Sequence, residues 1–198
     1  MIGLSLGDLS GPAGKAACQA ELLSRYADME NVSRVDEVAE VLLAPRGLGR
    51  IEKGKDKHFY SDGAFNLIQL VAYLLKQTGP AHVFLTSYSI AEDSLGTLKR
   101  KLERGEILSI RFIIDSRVKS VSPKPFDVLS HSFPGSYRCR AVHAKVALVY
   151  NEDWQLTVIG SQNATRNPKL ERGIIHTSAE VFNFDYHILQ DEFDRGAT

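Results

Sequence analysis

Residues 82–115 read HVFLTSYSIAEDSLGTLKRKLERGEILSIRFIID, and the order of patterns inside this stretch decides the fold class. His82 to Ser87 is short and largely apolar, the pattern of a strand buried on both faces. Glu92 to Arg104 places leucines among charges at helical spacing and stops at Gly105. Ile107 to Asp115 is a second β-rich run. Strand, helix and strand with a crossover of this length argue a parallel pair, because parallel neighbours need a long connection.

Further elements extend in both directions. Upstream, Ser61 or Asp62 is expected to cap a helix from Gly63 to Gln77, which Gly79-Pro80 stops. Residues 12–29 and Val35 to Leu43 read as two more helices, and the glycine-containing, basic stretch 46–58 reads as a loop. Downstream, Pro123 to Tyr137 reads as irregular, with at most one helical turn. Arg140–Tyr150 and Trp154–Gly160 are β-rich runs joined by a tight Asn151-Glu152-Asp153 turn. Glu171–Thr177 is a further strand, and Ala179–Phe193 a closing amphipathic helix. The expected fold class is α/β, a mixed β-sheet flanked by helices. Residues 61–198 are expected to form one domain, with 1–60 as a helical and loop segment of unassigned role.

Composition bounds the class. The chain has 198 residues, 43% hydrophobic and 24% charged, which is enough to bury a core of its own. Two cysteines, Cys18 and Cys139, exclude a disulfide scaffold and are read as free thiols. No apolar run is long enough to span a membrane. The opening MIGLSLGDLSG has no basic leader, so no signal peptide is expected and cytoplasmic residence is the default. Net charge is zero, but residues 109–149 sum to +5 and residues 176–198 to −4. A neutral chain of this kind can still present a basic face.

One polar constellation stands out. His143-Ala-Lys145 lies on the first strand of the hairpin, and Gly160-Ser161-Gln162-Asn163 follows the second, with Asn167 and Glu171 beyond. Alternation along a strand points His143 and Lys145 the same way. The hairpin returns Ser161 and Asn163 beside them. A histidine and a lysine on one face favour a shared phosphate, to which Lys, Asn and Ser all donate. Gly11 to Ala16 lacks the spacing and the hydroxyl of a phosphate-binding loop, and no zinc-protease signature occurs.

This arrangement resembles the phospholipase D superfamily, whose motif is H-x-K, four residues, D, six residues, G-S-x-N. His143 and Lys145 complete the first part, and Gly160, Ser161 and Asn163 complete the last. Tyr150 stands where the aspartate is due. Counting back six residues from Gly160 leads instead to Asp153, so the motif fits with a longer hairpin turn. The strand, basic helix, Arg104-Gly105 and strand ending in Asp115 also resemble the family, and the resemblance covers residues 61–195.

The resemblance implies a phospholipase D-like fold and phosphodiester cleavage through a covalent phosphohistidine, with no metal and no cofactor. His143 would be the nucleophile. Lys145, Ser161 and Asn163 would serve the phosphoryl oxygens, Glu171 would hold the imidazole, and Asp153 would be supporting. Two imidazoles are needed and one motif is present, which implies a homodimer with a shared site. The resemblance to compact single-motif members favours a nuclease, with DNA favoured over RNA and no membrane partner. Arg138, Arg140, Arg166 and Lys169 are the candidate nucleic-acid contacts. A phospholipid or other small phosphodiester is the alternative substrate, and a catalytically silent DNA-binding or assembly module is the alternative of another class.

Overall fold

The computed structural model describes residues 34–44 and 47–196. The helix expected at 12–29 and Cys18 lie outside the described residues. The elements, in chain order, are α1 (Arg34–Leu43), β1 (Lys57–Asp62), α2 (Leu67–Thr78), β2 (Ala81–Ser87), α3 (Glu92–Glu103) and β3 (Ile107–Asp115). They continue with α4 (Val118–Val121), α5 (Pro123–Ser132), β4 (Tyr137–Arg140), β5 (Val146–Tyr150), β6 (Gln155–Gly160), β7 (Leu170–His176) and α6 (Ala179–Arg195). No helix among the described residues is long and apolar enough to cross a membrane.

Seven strands form one mixed sheet in the order β1-β7-β6-β5-β2-β3-β4. The β2–β3 pair is parallel, as the α3 crossover requires, and β4 continues in parallel on β3. The pairs β2–β5, β5–β6, β6–β7 and β7–β1 are antiparallel. Strand β2 lies near the centre, and its residues from Val83 to Ser87 are all buried. Alternate side chains feed two cores. Val83 and Leu85 join the larger one with α1, α2, α3 and α5, whereas Phe84 joins Phe182 and Phe193 of α6 on the other face. Covering both faces of the central strands explains their unbroken apolar runs.

Helix α2 begins later than expected. Ser61 and Asp62 are spent in β1, opposite Glu171 and Leu170 of β7. The cap is Asn66, whose Oδ1 accepts from the Ile68 and Gln69 N–H groups, while Gln69 Oε1 accepts from the Asn66 N–H at 2.7 Å. This reciprocal pair satisfies donors that a helix start leaves orphaned. Strand β1 crosses the expected 60/61 boundary, and α1 packs on α2. A buried lysine helps anchor α1: Lys101 Nζ donates to Asp36 Oδ1 at 2.6 Å and to Glu106 Oε2 at 2.7 Å. Residues 123–132, expected to be mostly irregular, form α5. Pro123 opens it, a position where the missing N–H costs nothing.

The β5–β6 turn is tied by Asn151. Its Oδ1 accepts from the Asp153 and Trp154 N–H groups, both at 3.0 Å. Its Nδ2 donates to the Thr78 and Pro80 carbonyls, both at 3.0 Å. The turn is thereby fixed to the end of α2, while Asp153 itself is exposed. Asn151→Ala is expected to cost about 1–3 kcal/mol, since partners on two elements lose their bonds. Asp153→Ala is expected to stay within about 0.5 kcal/mol, as for other exposed positions. Urea unfolding of the two variants checks the order.

Candidate active site

Four strand ends and one crossing segment build the site. Strand β4 lies beyond β3, and β5 lies on the other side of β2. The chain between them must cross the ends of β2 and β3. Residues 141–145 are therefore not part of one continuous strand from Arg140 to Tyr150, as the sequence pattern predicts; they leave the ladder and run along the rim. This crossing carries His143 and Lys145. Gly160 to Asn163, at the end of β6, arrive at the same rim because β6 runs parallel to β2. Backbone joins the two segments where the Gly160 N–H donates to the Lys145 carbonyl at 3.2 Å.

Buried hydroxyls at the end of β2 hold both segments. Thr86 Oγ1 donates to the Ala144 carbonyl at 2.9 Å and accepts from the Val146 N–H at 3.0 Å. It thus brackets Lys145 from both sides. Ser87 Oγ donates to the Ser89 carbonyl at 2.6 Å, accepts from the Ala164 N–H at 3.1 Å, and stands 3.5 Å from Asn163 Oδ1. The start of the crossing is held by Asp115, which is buried at the end of β3. Its Oδ2 accepts from the Val142 N–H at 3.2 Å, and its Oδ1 accepts from Arg117 Nε at 2.8 Å and the Arg117 N–H at 3.0 Å. The Arg117 guanidinium beside it holds the Asp115 carboxyl below the usual carboxylate range.

The side chains so positioned differ in exposure. His143 is exposed, and its ring meets Tyr88 edge-on at 5.2 Å between centroids. Lys145 is 7% exposed, and its Nζ donates to the His143 carbonyl at 2.6 Å. Burial pushes the Lys145 amine down from the ordinary lysine range, and the charge of Glu171 acts in the opposite direction. Glu171 is itself buried, with its two oxygens accepting from Ser161 Oγ and Asn167 Nδ2. The resemblance implies that Glu171 holds the His143 imidazole. In the structure its oxygens are occupied by Ser161 and Asn167, and its charge acts on Lys145.

Gly160 is required by close approach. A side chain there would put its Cβ 2.9 Å from the Arg172 carbonyl oxygen and against the buried amide of Gln162. Of the other expected site residues, Asp153 sits at the opposite end of the β5–β6 hairpin, roughly 20 Å away at the rise of a strand. Arg140 pairs with Glu192 of α6 at 2.6 Å, and Arg138 lies over the Phe193 ring at 4.2 Å while donating to the Gly135 and Tyr137 carbonyls. Arg166 and Lys169 are exposed on the loop that follows Asn163. Arg166 lines a cleft of about 490 Å3 with Asp62, Gly63, Asn167 and Pro168. Thr86, Ser87, Tyr88 and Arg117 were not singled out as site residues by the sequence reading, and Asp115 entered it only as the end of a strand. Their signal is positional, since hydroxyls and an acid end two largely apolar strands.

No family model matches the chain, and no curated protein sequence matches it. Solved structures do. Nuc, a phospholipase D family member from Salmonella typhimurium, superposes with a TM-score of 0.55 at 17% identity, over 72% of this chain and 96% of that one. NucT from Helicobacter pylori gives 0.52 at 16% identity, over 72% of this chain and 99% of its own. Polyphosphate kinase from Porphyromonas gingivalis gives 0.55 at 13% identity; the match spans 73% of this chain but 26% of the kinase. The mixed sheet, its flanking helices and these likenesses together make the fold phospholipase D-like.

Proposed function

We propose that the chain is a phosphodiesterase of the phospholipase D superfamily, a nuclease that cleaves DNA without a metal through a covalent phosphohistidine. The observation that carries this reading is the meeting of His143 and Lys145 with Gly160, Ser161 and Asn163 on one rim of a phospholipase D-like fold. Neutral His143 attacks phosphorus, and the bond to the leaving oxygen breaks. A second imidazole, protonated, gives its proton to that oxygen. Water then attacks the phosphohistidine, loses a proton to the second imidazole, and frees His143. Each chain has one H-x-K, so the second imidazole is His143 of another copy across a two-fold axis.

Lys145 and Asn163 stabilise charge on the non-bridging oxygens, in the manner of an oxyanion hole. Ser161 and Asn167 hold Glu171, and Glu171 offsets the charge of buried Lys145. Exposed Arg166 and Lys169 reach for the substrate backbone.

The test is incubation of purified protein with plasmid and short DNA strands in EDTA. Cleavage by the wild-type protein is expected, with a phosphoryl label trapped on the protein. Both are expected to vanish in His143→Ala, and the active species is expected to have the mass of two chains by light scattering. A magnesium requirement would overturn the phosphohistidine scheme. DNA binding with equal inertness of wild type and His143→Ala would make the chain a binding module.

A second expectation follows from burial of the lysine. Holding a charged amine where its pKa is lowered costs stability at neutral pH. Lys145→Met is expected to abolish turnover yet raise Tm at neutral pH. Above the folded pKa and below the ordinary one, the unfolded chain binds more protons than the folded one. Wild-type stability therefore climbs with pH in that window, and the advantage of Lys145→Met shrinks. Thermal melts across the alkaline range check the sign.

A further inference from the structure

We propose that Arg117, seated on Tyr88 and clamped by Asp115, binds the phosphate next to the one that His143 and Lys145 engage, so that the site takes a phosphodiester chain rather than an isolated phosphodiester. The inference rests on the phosphodiesterase reading above and adds to that site a second phosphate contact.

Three observations carry it. The Arg117 guanidinium carbon lies 4.4 Å from the centre of the Tyr88 ring, and the His143 ring lies 5.2 Å from the same centre. The imidazole and the guanidinium therefore both lie against one tyrosine, within about 10 Å of each other, a range that neighbouring phosphates of one strand can span. The arginine is also preorganised: its Nε and its backbone N–H both rest on Asp115 Oδ1. Stacking on a ring and a carboxylate clamp remove the freedom that a long side chain otherwise loses on binding. The side chain nonetheless remains 60% exposed, whereas that of Asp115 is 4% exposed. A guanidinium held this way donates to a phosphate in fixed geometry, with charge-assisted bonds.

The shared carboxylate links this subsite to the chemistry. Asp115 Oδ2 holds the Val142 N–H, one residue before His143, while Oδ1 holds Arg117. Two other arginines of the same basic stretch are more deeply engaged. Arg111 donates to Tyr150 and Tyr186 beneath α6, and Arg140 is paired with Glu192.

The experiment compares Arg117→Ala, Arg117→Lys and Lys99→Ala, the last removing an exposed charge from α3. Binding of a fluorescent single-stranded 20-mer is measured in a His143→Ala background across a salt series. Arg117→Ala is expected to weaken binding about tenfold and to flatten the log–log salt slope by about 0.7. Arg117→Lys is expected to keep the slope but lose affinity, because ammonium does not match the ring and the fork. Lys99→Ala is expected to change neither. Cleavage is then compared in the wild-type background on the oligonucleotide and on bis(p-nitrophenyl) phosphate, which has a single phosphate. The loss in kcat/KM for Arg117→Ala is expected to be at least tenfold larger on the oligonucleotide. Equal losses on both substrates with an unchanged salt slope would overturn the proposal and reduce Arg117 to a support for the His143 segment. If the wild-type protein cleaves neither substrate, the phosphodiesterase reading fails, and the salt series still decides whether Arg117 binds phosphate.

Discussion

The rim depends on two hydroxyls where β2 ends. A strand that stops pairing leaves backbone groups that need partners, and burial without them costs about 1–3 kcal/mol each. Thr86 meets this need on both sides of Lys145, and Ser87 meets it at Ala164. Adjacent residues in a strand point to opposite faces. The pair can therefore hold the His143–Lys145 crossing with one side chain and the Gly160–Asn163 loop with the next. Two segments separated by a whole hairpin are thereby registered against one rigid strand. Valine at 86 would keep the shape and abandon both backbone partners, so the position favours threonine for reasons that hydropathy does not express.

Charge at the rim is arranged by the same economy. A buried ammonium is tolerated when a counter-charge and hydrogen bonds surround it. Lys145 has the His143 carbonyl and the nearby Glu171. Glu171 in turn accepts hydrogen bonds from Ser161 and Asn167. The chain Asn167, Ser161, Glu171, Lys145 thus explains why polar residues recur across the G-S-x-N loop and the start of β7. The charge of the downstream glutamate acts on the lysine in this arrangement, and the histidine is left exposed.

Much of this architecture was legible from patterns of period and punctuation. Strands β2 and β3 were readable because burial on both faces leaves apolar runs, and α3 because leucines and charges segregate on a helix. The α2 start was misplaced because Ser61 and Asp62 are equally good caps in isolation, and β1 claims them through pairing with β7, a partner more than a hundred residues away. Helix α5 was missed because two prolines and a polar surface mask a helix that Pro123 in fact initiates. His143, Lys145 and Asn163 were found by motif. Asp115 entered only as the end of a strand, and Tyr88 and Arg117 were not singled out, since nothing local marks a residue whose place is set where three strand ends meet.

Charge counts along the chain mislead for a related reason. The +5 of residues 109–149 and the −4 of residues 176–198 imply a basic face opposite an acidic one. Folding instead lays the acidic helix α6 over part of the basic stretch. Glu192 takes Arg140, Gln190 and Tyr186 take Arg111, and the Phe193 ring takes Arg138. These contacts satisfy the donors of half-buried arginines, and they draw positive charge away from long-range steering. The cations that remain at the rim itself are placed by local contacts. Lys145 is buried in the centre, Arg117 stands on Tyr88 to one side, and Arg166 stands in the cleft beside Asn167. A few placed charges of this kind act through contact geometry more than through net charge, which is how a chain of zero net charge remains compatible with a polyanionic substrate.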